Sequence, residues 1–123
     1  MAKNIFYSYS KCSTCRKASK WLDQKNIKYT LIDIVQTPPK FKYLNMALKQ
    51  YILDKKRIFN LRGKSYKLID SDINNLFSDE IIQLLSSDGK LKKRPFLVYE
   101  EKKIILGFIE DEYKDIFMVS KNL

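Results

Sequence analysis

Asn4-Ile-Phe-Tyr-Ser-Tyr-Ser-Lys-Cys12-Ser-Thr-Cys15-Arg-Lys-Ala-Ser-Lys-Trp21-Leu-Asp-Gln-Lys-Asn26-Ile-Lys-Tyr-Thr-Leu-Ile-Asp-Ile34 is the stretch that decides the fold. Asn4–Tyr9 is short and aromatic-rich and reads as a strand. Ser13–Lys25 reads as a helix, because Cys15, Ala18, Trp21 and Leu22 recur at three- and four-residue spacing. Asn26 ends it. Lys28–Ile34 reads as a second strand, with Tyr29, Leu31, Ile32 and Ile34 apolar. Strand, helix and strand in so short a run imply two parallel strands joined by a right-handed crossover.

The two cysteines, Cys12 and Cys15, are the only ones in the chain and lie between the first strand and the first helix. A helix that starts after Cys12 puts that residue at its N-cap. Its sulfur then faces the backbone N–H groups of Ser13, Thr14 and Cys15. Those donors and the positive end of the helix dipole favour a thiolate. Lys11, Arg16 and Lys17 add positive charge nearby. The thiolate is the reactive form of cysteine, so this placement predicts a nucleophile at Cys12. Cys15, one turn further in, is placed to resolve a mixed disulfide on Cys12.

Further along, Pro38-Pro39 predicts the opening of a helix, with Pro in its first turn. Phe41, Leu44, Ala47, Leu48 and Tyr51 give that helix an apolar stripe. Residues 52–76 read as helical or irregular, broken at Gly63. Ser78 is the expected N-cap of the next helix, and Asp79-Glu80 suit its first turn. Ile81, Ile82, Leu84 and Leu85 follow, and Asp88-Gly89 stops it. Phe96–Tyr99 and Lys103–Leu106 form a hairpin across Glu100-Glu101-Lys102. Gly107 breaks the second strand, and Ile109–Val119 reads as a last helix using Tyr113, Ile116 and Phe117. The order β-α-β, a helical block, then β-β-α describes an α/β fold with a mixed four-stranded sheet. It matches the thioredoxin-like arrangement with an all-helical insert.

Composition narrows the chemistry. The 123 residues are enough for one domain. Apolar residues make up 45%, which supports a core without a metal or disulfide staple. There is no histidine. That removes His general bases, Cys/His and Ser/His triads, and His metal sites. The Cys pair alone is half of a structural zinc site, so no metal is expected. The longest apolar run, about Ile104 to Ile109, falls far short of the ~20 residues of a membrane helix. No targeting segment is visible, so the expectation is a soluble cytoplasmic protein with no membrane partner and reduced thiols. Net charge is +10. Residues 1–67 hold 16 Lys/Arg against three acids, and residues 68–123 hold eight against eleven. No helix-turn-helix, zinc finger or RNA-recognition signature accompanies this charge, so direct nucleic-acid binding is not expected. Lysines that only solvate helix faces are the commoner source of such charge, and an acidic protein partner stays open.

Four motifs in order resemble the arsenate reductase-like (ArsC) family, which holds glutaredoxin-coupled arsenate reductases and Spx- and MgsR-type redox regulators. They are Cys12-Ser-Thr-Cys-Arg-Lys-Ala-x-x-Trp-Leu, the Pro38-Pro39 helix start, Leu61-Arg62-Gly-Lys-Ser-Tyr, and Lys93-Arg94-Pro95-Phe-Leu-Val. The resemblance covers roughly residues 3–118. It implies one domain over residues 1–123, with a thioredoxin-like core at about 3–36 and 92–119 and a helical insert at about 38–90. It implies that Cys12 is the nucleophile and that Pro95 is a cis-proline beside it. Arg62 and Arg94 match positions that bind an oxyanion, and Arg16 joins them as an anion-binding candidate. Arginine's planar fork suits such oxygens. Arg57 is assigned to the surface.

Two departures stand out. The reductases carry a third arginine just after the last strand, where this chain reads Leu106-Gly107-Phe108-Ile109. The second cysteine, Cys15, resembles the Spx branch. Two functions follow. One is a thiol-dependent oxidoreductase that reduces arsenate or another small substrate. It would need no bound cofactor, and glutathione/glutaredoxin or thioredoxin would be its external reductant. The other is a redox-sensing regulator that binds RNA polymerase through a Cys12–Cys15 switch. The Spx regulators carry a glycine in the insert linked to that contact, and this chain has no glycine before Gly63.

Overall fold

A computed structural model describes residues 3–69 and 72–119. The elements are β1 (Ile5–Ser8), α1 (Ser13–Gln24), β2 (Thr30–Asp33), α2 (Phe41–Gln50), α3 (Lys64–Lys67), α4 (Ser78–Ser87), β3 (Phe96–Tyr99), β4 (Lys103–Leu106) and α5 (Glu110–Lys114). Short 3-10 turns at Lys55–Ile58 and Ile73–Asn75 flank α3, and α5 continues as a π-helical turn over Asp115–Val119.

The strand order is β2-β1-β3-β4. β1 runs parallel to β2, with Tyr7 opposite Ile32, and antiparallel to β3, with Phe6 opposite Leu97. β3 and β4 form the antiparallel hairpin. This is a thioredoxin-like α/β fold with a mixed four-stranded sheet.

The alternation of side chains along the strands builds a core on each face. Phe6, Leu97 and Ile105 pack with Ala18, Trp21 and Leu22 of α1 and with Tyr113 and Phe117. Their neighbours Tyr7, Phe96, Val98, Ile104 and Leu106 point to the other face, where α2, the Ile58-Phe59 turn and α4 cover them. β2 is an edge strand, so Leu31, expected as an apolar strand residue, is 64% exposed.

Several boundaries differ from the sequence reading. Lys40 is the N-cap of α2, so Pro38-Pro39 precede the helix and do not occupy its first turn. The apolar face of α2 is Tyr43, Leu44, Ala47 and Leu48, and Phe41 at the helix start is exposed. The N-cap of α4 is Phe77, and Ser78 is the first helical residue. The Glu80 carboxylate accepts the Phe77 backbone N–H at 2.9 Å, so the acid three residues on closes this end. The last helix is α-helical for one turn and then widens.

Three contacts tie the insert to the sheet. The Gln50 side chain donates to the Ile104 carbonyl at 2.8 Å and accepts its N–H at 2.6 Å. The amide thus acts as a one-residue strand against the outer edge of β4. Gly89 lies so close to the chain leaving β2 that a Cβ there would sit 2.9 Å from Val35 Cα. Lys93 donates to the Ile58 carbonyl at 2.8 Å and Asn60 to the Leu91 carbonyl at 2.7 Å. This last bridge joins the insert to the residues that lead into β3.

Candidate active site

Cys12 is the N-cap of α1, with extended backbone, and its sulfur accepts the Cys15 N–H at 3.2 Å. The Cys12 N–H donates to the Tyr9 carbonyl at 3.0 Å, which fixes the turn out of β1. Cys12 is half-buried and Cys15 fully buried, and both are free thiols. Burial, and then the hydrogen bond with Cys12, push the Cys15 thiol up to about 11. The Tyr9 backbone and the Ser8 hydroxyl offset part of this. Cys15 is therefore a proton-bearing thiol buried behind the half-buried Cys12.

Cys12, Ser13 and Thr14 form one end of a cavity of about 880 Å³. Its other walls are the insert residues Lys56, Arg57, Phe59, Asn60, Leu61 and Arg62, the pair Lys93 and Arg94, and the segment Leu106–Ile109 with Glu112. The bridge from Ile58–Asn60 to Leu91–Lys93 brings these walls together. Arg57 and Arg62 flank the bridged Ile58–Asn60 segment, and Arg94 follows its partner segment.

The Arg94–Pro95 bond is cis. The Arg94 guanidinium stacks over Tyr9 at 4.9 Å, and its buried Nη1 has no hydrogen-bond partner among the described residues. A buried guanidinium N–H without an acceptor is costly, and other atoms of the same residue line the cavity. Gly107 has φ of +70°, and a Cβ there would meet Lys93 Cε at 3.1 Å. Lys93 thus lies over the end of β4, the place without a basic residue in sequence. Tyr113 secures this lip: its hydroxyl donates to the Gly107 carbonyl at 3.1 Å, and its ring meets Phe108 and Trp21 edge-on.

Cys12, Ser13, Thr14, Arg62 and Arg94 converge on the cavity, and Pro95 follows Arg94 directly. Arg16 does not join them. Its Nη1 donates to the Ser10 carbonyl at 2.9 Å, because one turn along α1 carries its side chain back toward the β1 loop. Arg57 corrects the reading in the opposite sense. It lines the cavity, stacks over Tyr51 at 4.8 Å and faces Glu112 at 3.8 Å. Lys56, Lys93 and Glu112 were also absent from the expected site. The basic run Lys55-Lys56-Arg57 was the visible signal, but only the bridge to Leu91–Lys93 tells which cavity it faces. Among the described residues, no group of three or more Cys, Asp or Glu side chains gathers as a metal site, and no helix is long and apolar enough to cross a membrane.

The family model described as ArsC family matches residues 7–116. The chain belongs to the ArsC family. It is 38% identical over 112 residues to YusI of Bacillus subtilis, an uncharacterized protein, covering 89% of this chain and 94% of that one. It is 27% identical to the global transcriptional regulator Spx of Lactiplantibacillus plantarum, covering 89% and 83%. Among solved structures, an ArsC family related protein from Bacteroides fragilis superposes with a TM-score of 0.82 at 37% identity, covering 93% and 97%.

Proposed function

We propose that this ArsC-family protein is a thiol–disulfide redox protein acting on a small substrate, with Cys12 as nucleophile and Cys15 as resolving thiol. One observation carries the reading. The Cys12 sulfur caps α1, accepts the Cys15 N–H at 3.2 Å and opens onto a cation-lined cavity, with the Cys15 thiol buried behind it. The Cys15 N–H that it accepts orients the Cys12 sulfur as it attacks or departs. Attack by Cys12 leaves the substrate on its sulfur. Cys15 then gives up its proton, attacks the Cys12 sulfur and releases the product, leaving a Cys12–Cys15 disulfide. A glutaredoxin or thioredoxin dithiol would return the pair to its reduced form.

The test is NADPH consumption by the purified protein, coupled in turn to glutathione/glutaredoxin and to thioredoxin, with Cys12→Ser as control. Arsenate is one substrate and a neutral small disulfide the other. Cys12-dependent turnover of the disulfide is expected, and the productive coupling names the reductant. Turnover with arsenate would assign oxyanion reduction as well. Identical rates for wild type and Cys12→Ser would refute the reading.

A second reading is favoured by the likeness to a protein named as a global transcriptional regulator. In it the same disulfide changes binding to RNA polymerase. Pull-down of polymerase with oxidised and reduced protein distinguishes the two, because only the regulator binds in a redox-dependent way.

A further inference from the structure

Size and charge of the cavity both exceed what a single oxyanion needs. One water-sized group needs about 10–15 Å³ of cavity space, so an ion of five heavy atoms needs under about 100 Å³. The cavity is about 880 Å³, within the roughly 300–1,000 Å³ that suits a whole small-molecule ligand. Among the described residues, six cationic side chains and one carboxylate, Glu112, line it. They come from separate walls. Lys56, Arg57 and Arg62 belong to the insert, Lys93 and Arg94 to the entry of β3, and Lys11 to the turn before Cys12. One small anion at the sulfur cannot touch all of these walls. Apolar side chains lie between the charges, and two of them, Leu61 and Ile109, stay half-exposed at the rim. They offer a place for a carbon framework.

Arg57 is the most telling member. Tyr51 holds the plane of its guanidinium by stacking at 4.8 Å. Glu112 faces it at 3.8 Å, longer than a hydrogen bond, and both side chains are 39% exposed. The guanidinium is thus oriented on the cavity wall yet only loosely neutralised.

Resting on the thiol–disulfide reading, we infer that the cavity takes the disulfide of a low-molecular-weight thiol carrying at least two acidic groups, carboxylate or phosphate. One acidic group meets Arg94 and Lys93 beside the sulfur, and another meets Arg57 on the insert wall. The chemistry balances without a further reactant. The Cys12 thiolate attacks one sulfur of R–S–S–R, forming Cys12–S–S–R and releasing R–S⁻. The Cys15 thiol passes its proton to that thiolate, and the new Cys15 thiolate displaces the second R–S⁻, which takes a proton from water. The disulfide gains two electrons, and the Cys12–Cys15 pair loses two.

The experiment follows formation of the Cys12–Cys15 disulfide in a single turnover by acid quench and thiol labelling. The probes are glutathione disulfide (carboxylates), coenzyme A disulfide (phosphates), neutral hydroxyethyl disulfide and cationic cystamine. The anionic probes should outpace the neutral one by tenfold or more, since focused fields raise on-rates about 10- to 1,000-fold. Cystamine should be slowest. The spread should collapse at about 1 M salt, where the screening length is about 3 Å. The faster of the two anionic probes tells carboxylate from phosphate. Arg57→Ala should narrow the anionic-to-neutral ratio several-fold, Arg57→Lys should restore part of it, and Glu112→Gln should widen it. Equal rates for anionic and neutral probes, or a ratio unmoved by both salt and Arg57→Ala, overturns this inference alone. Failure of every probe, the neutral one included, overturns it together with the thiol–disulfide reading.

Discussion

Lys92 should make the protein less stable than it would be with an apolar residue there. The segment Ile58–Asn60 pairs with Leu91–Lys93 so that Phe59 stands opposite Lys92. Paired residues on neighbouring strands point to the same side. Phe59 is a core residue, so the register drives the Lys92 side chain inward as well. It is 0% exposed, and its ammonium has no hydrogen-bond partner among the described residues. Burial lowers its pKa from 10.5 to about 8, and the charge of Asp88 offsets only part of that.

That depression costs the folded state roughly 3 kcal/mol at pH 7, taking 1.36 kcal/mol per pH unit. Methionine keeps the length of the lysine stem and removes the charge. Lys92→Met should therefore stabilise the protein by about 2–3 kcal/mol, or roughly 8–12 °C in Tm for a domain of this size. The pH dependence follows from the depressed pKa. Below pH 8 both folded and unfolded chains carry the proton, so the cost is full. Above it the folded chain sheds the proton first, and stability rises with pH toward 10.5. Cys15 opposes this only above pH 9, because its raised pKa makes the folded chain hold a proton the unfolded chain has lost. Urea unfolding of both reduced proteins at pH 7, 8 and 9 is the assay. The advantage of Lys92→Met should shrink by about 1 kcal/mol from pH 7 to 9. A variant less stable than wild type, or an advantage that does not change with pH, refutes the argument from a buried unpaired ammonium.

Other substitutions probe the remaining elements. Gln50→Ala removes both hydrogen bonds to Ile104 and leaves the edge of β4 open; a loss of about 1–3 kcal/mol in urea unfolding is expected. Cys15→Ser should stop the reaction at the first step, so intact mass spectrometry after a small disulfide should find Cys12 carrying the substrate thiol in place of an internal disulfide. In a Cys12→Ser protein, iodoacetamide should label Cys15 only slowly at neutral pH and faster as pH climbs toward 11, because burial is the largest cause of its raised pKa.

The thioredoxin-like frame was legible because its signals are local. The aromatic run of β1, the three- and four-residue spacing of α1 and the acidic turn between β3 and β4 each need only a few neighbouring residues to be read. Cys12 at the head of α1 belongs to the same class. The insert was less legible. The turn at Lys55–Ile58 is held from outside, by the Lys55 ammonium donating to the Leu76 carbonyl at 3.2 Å and by the Ile58–Lys93 hydrogen bond. The α4 cap slipped by one residue because Glu80, already favourable in a first turn, also takes the Phe77 N–H. Phe41 belonged to the apolar period of α2 yet sits at a helix start beyond the edge of the core.

Arg57 and Lys92 share one cause of illegibility. Whether a basic side chain faces a ligand, the core or water depends here on a bridge between segments more than thirty positions apart. That bridge sends Lys92 inward and sets Arg57 on the cavity wall. It also separates the two parts of the site physically. The sulfur chemistry rests on backbone groups of β1 and α1, which the sheet holds whatever the insert does. Most of the charges around the cavity rest on the insert and on its grip on Leu91–Lys93, with Lys11 and Glu112 added from the core. Substitutions at Arg57 or Glu112 should therefore change which disulfides react and leave the order of steps at Cys12 and Cys15 intact. A change in the Ile58–Asn60 backbone should shift Arg57 and Arg62 relative to Arg94, because two hydrogen bonds join that segment to Leu91–Lys93.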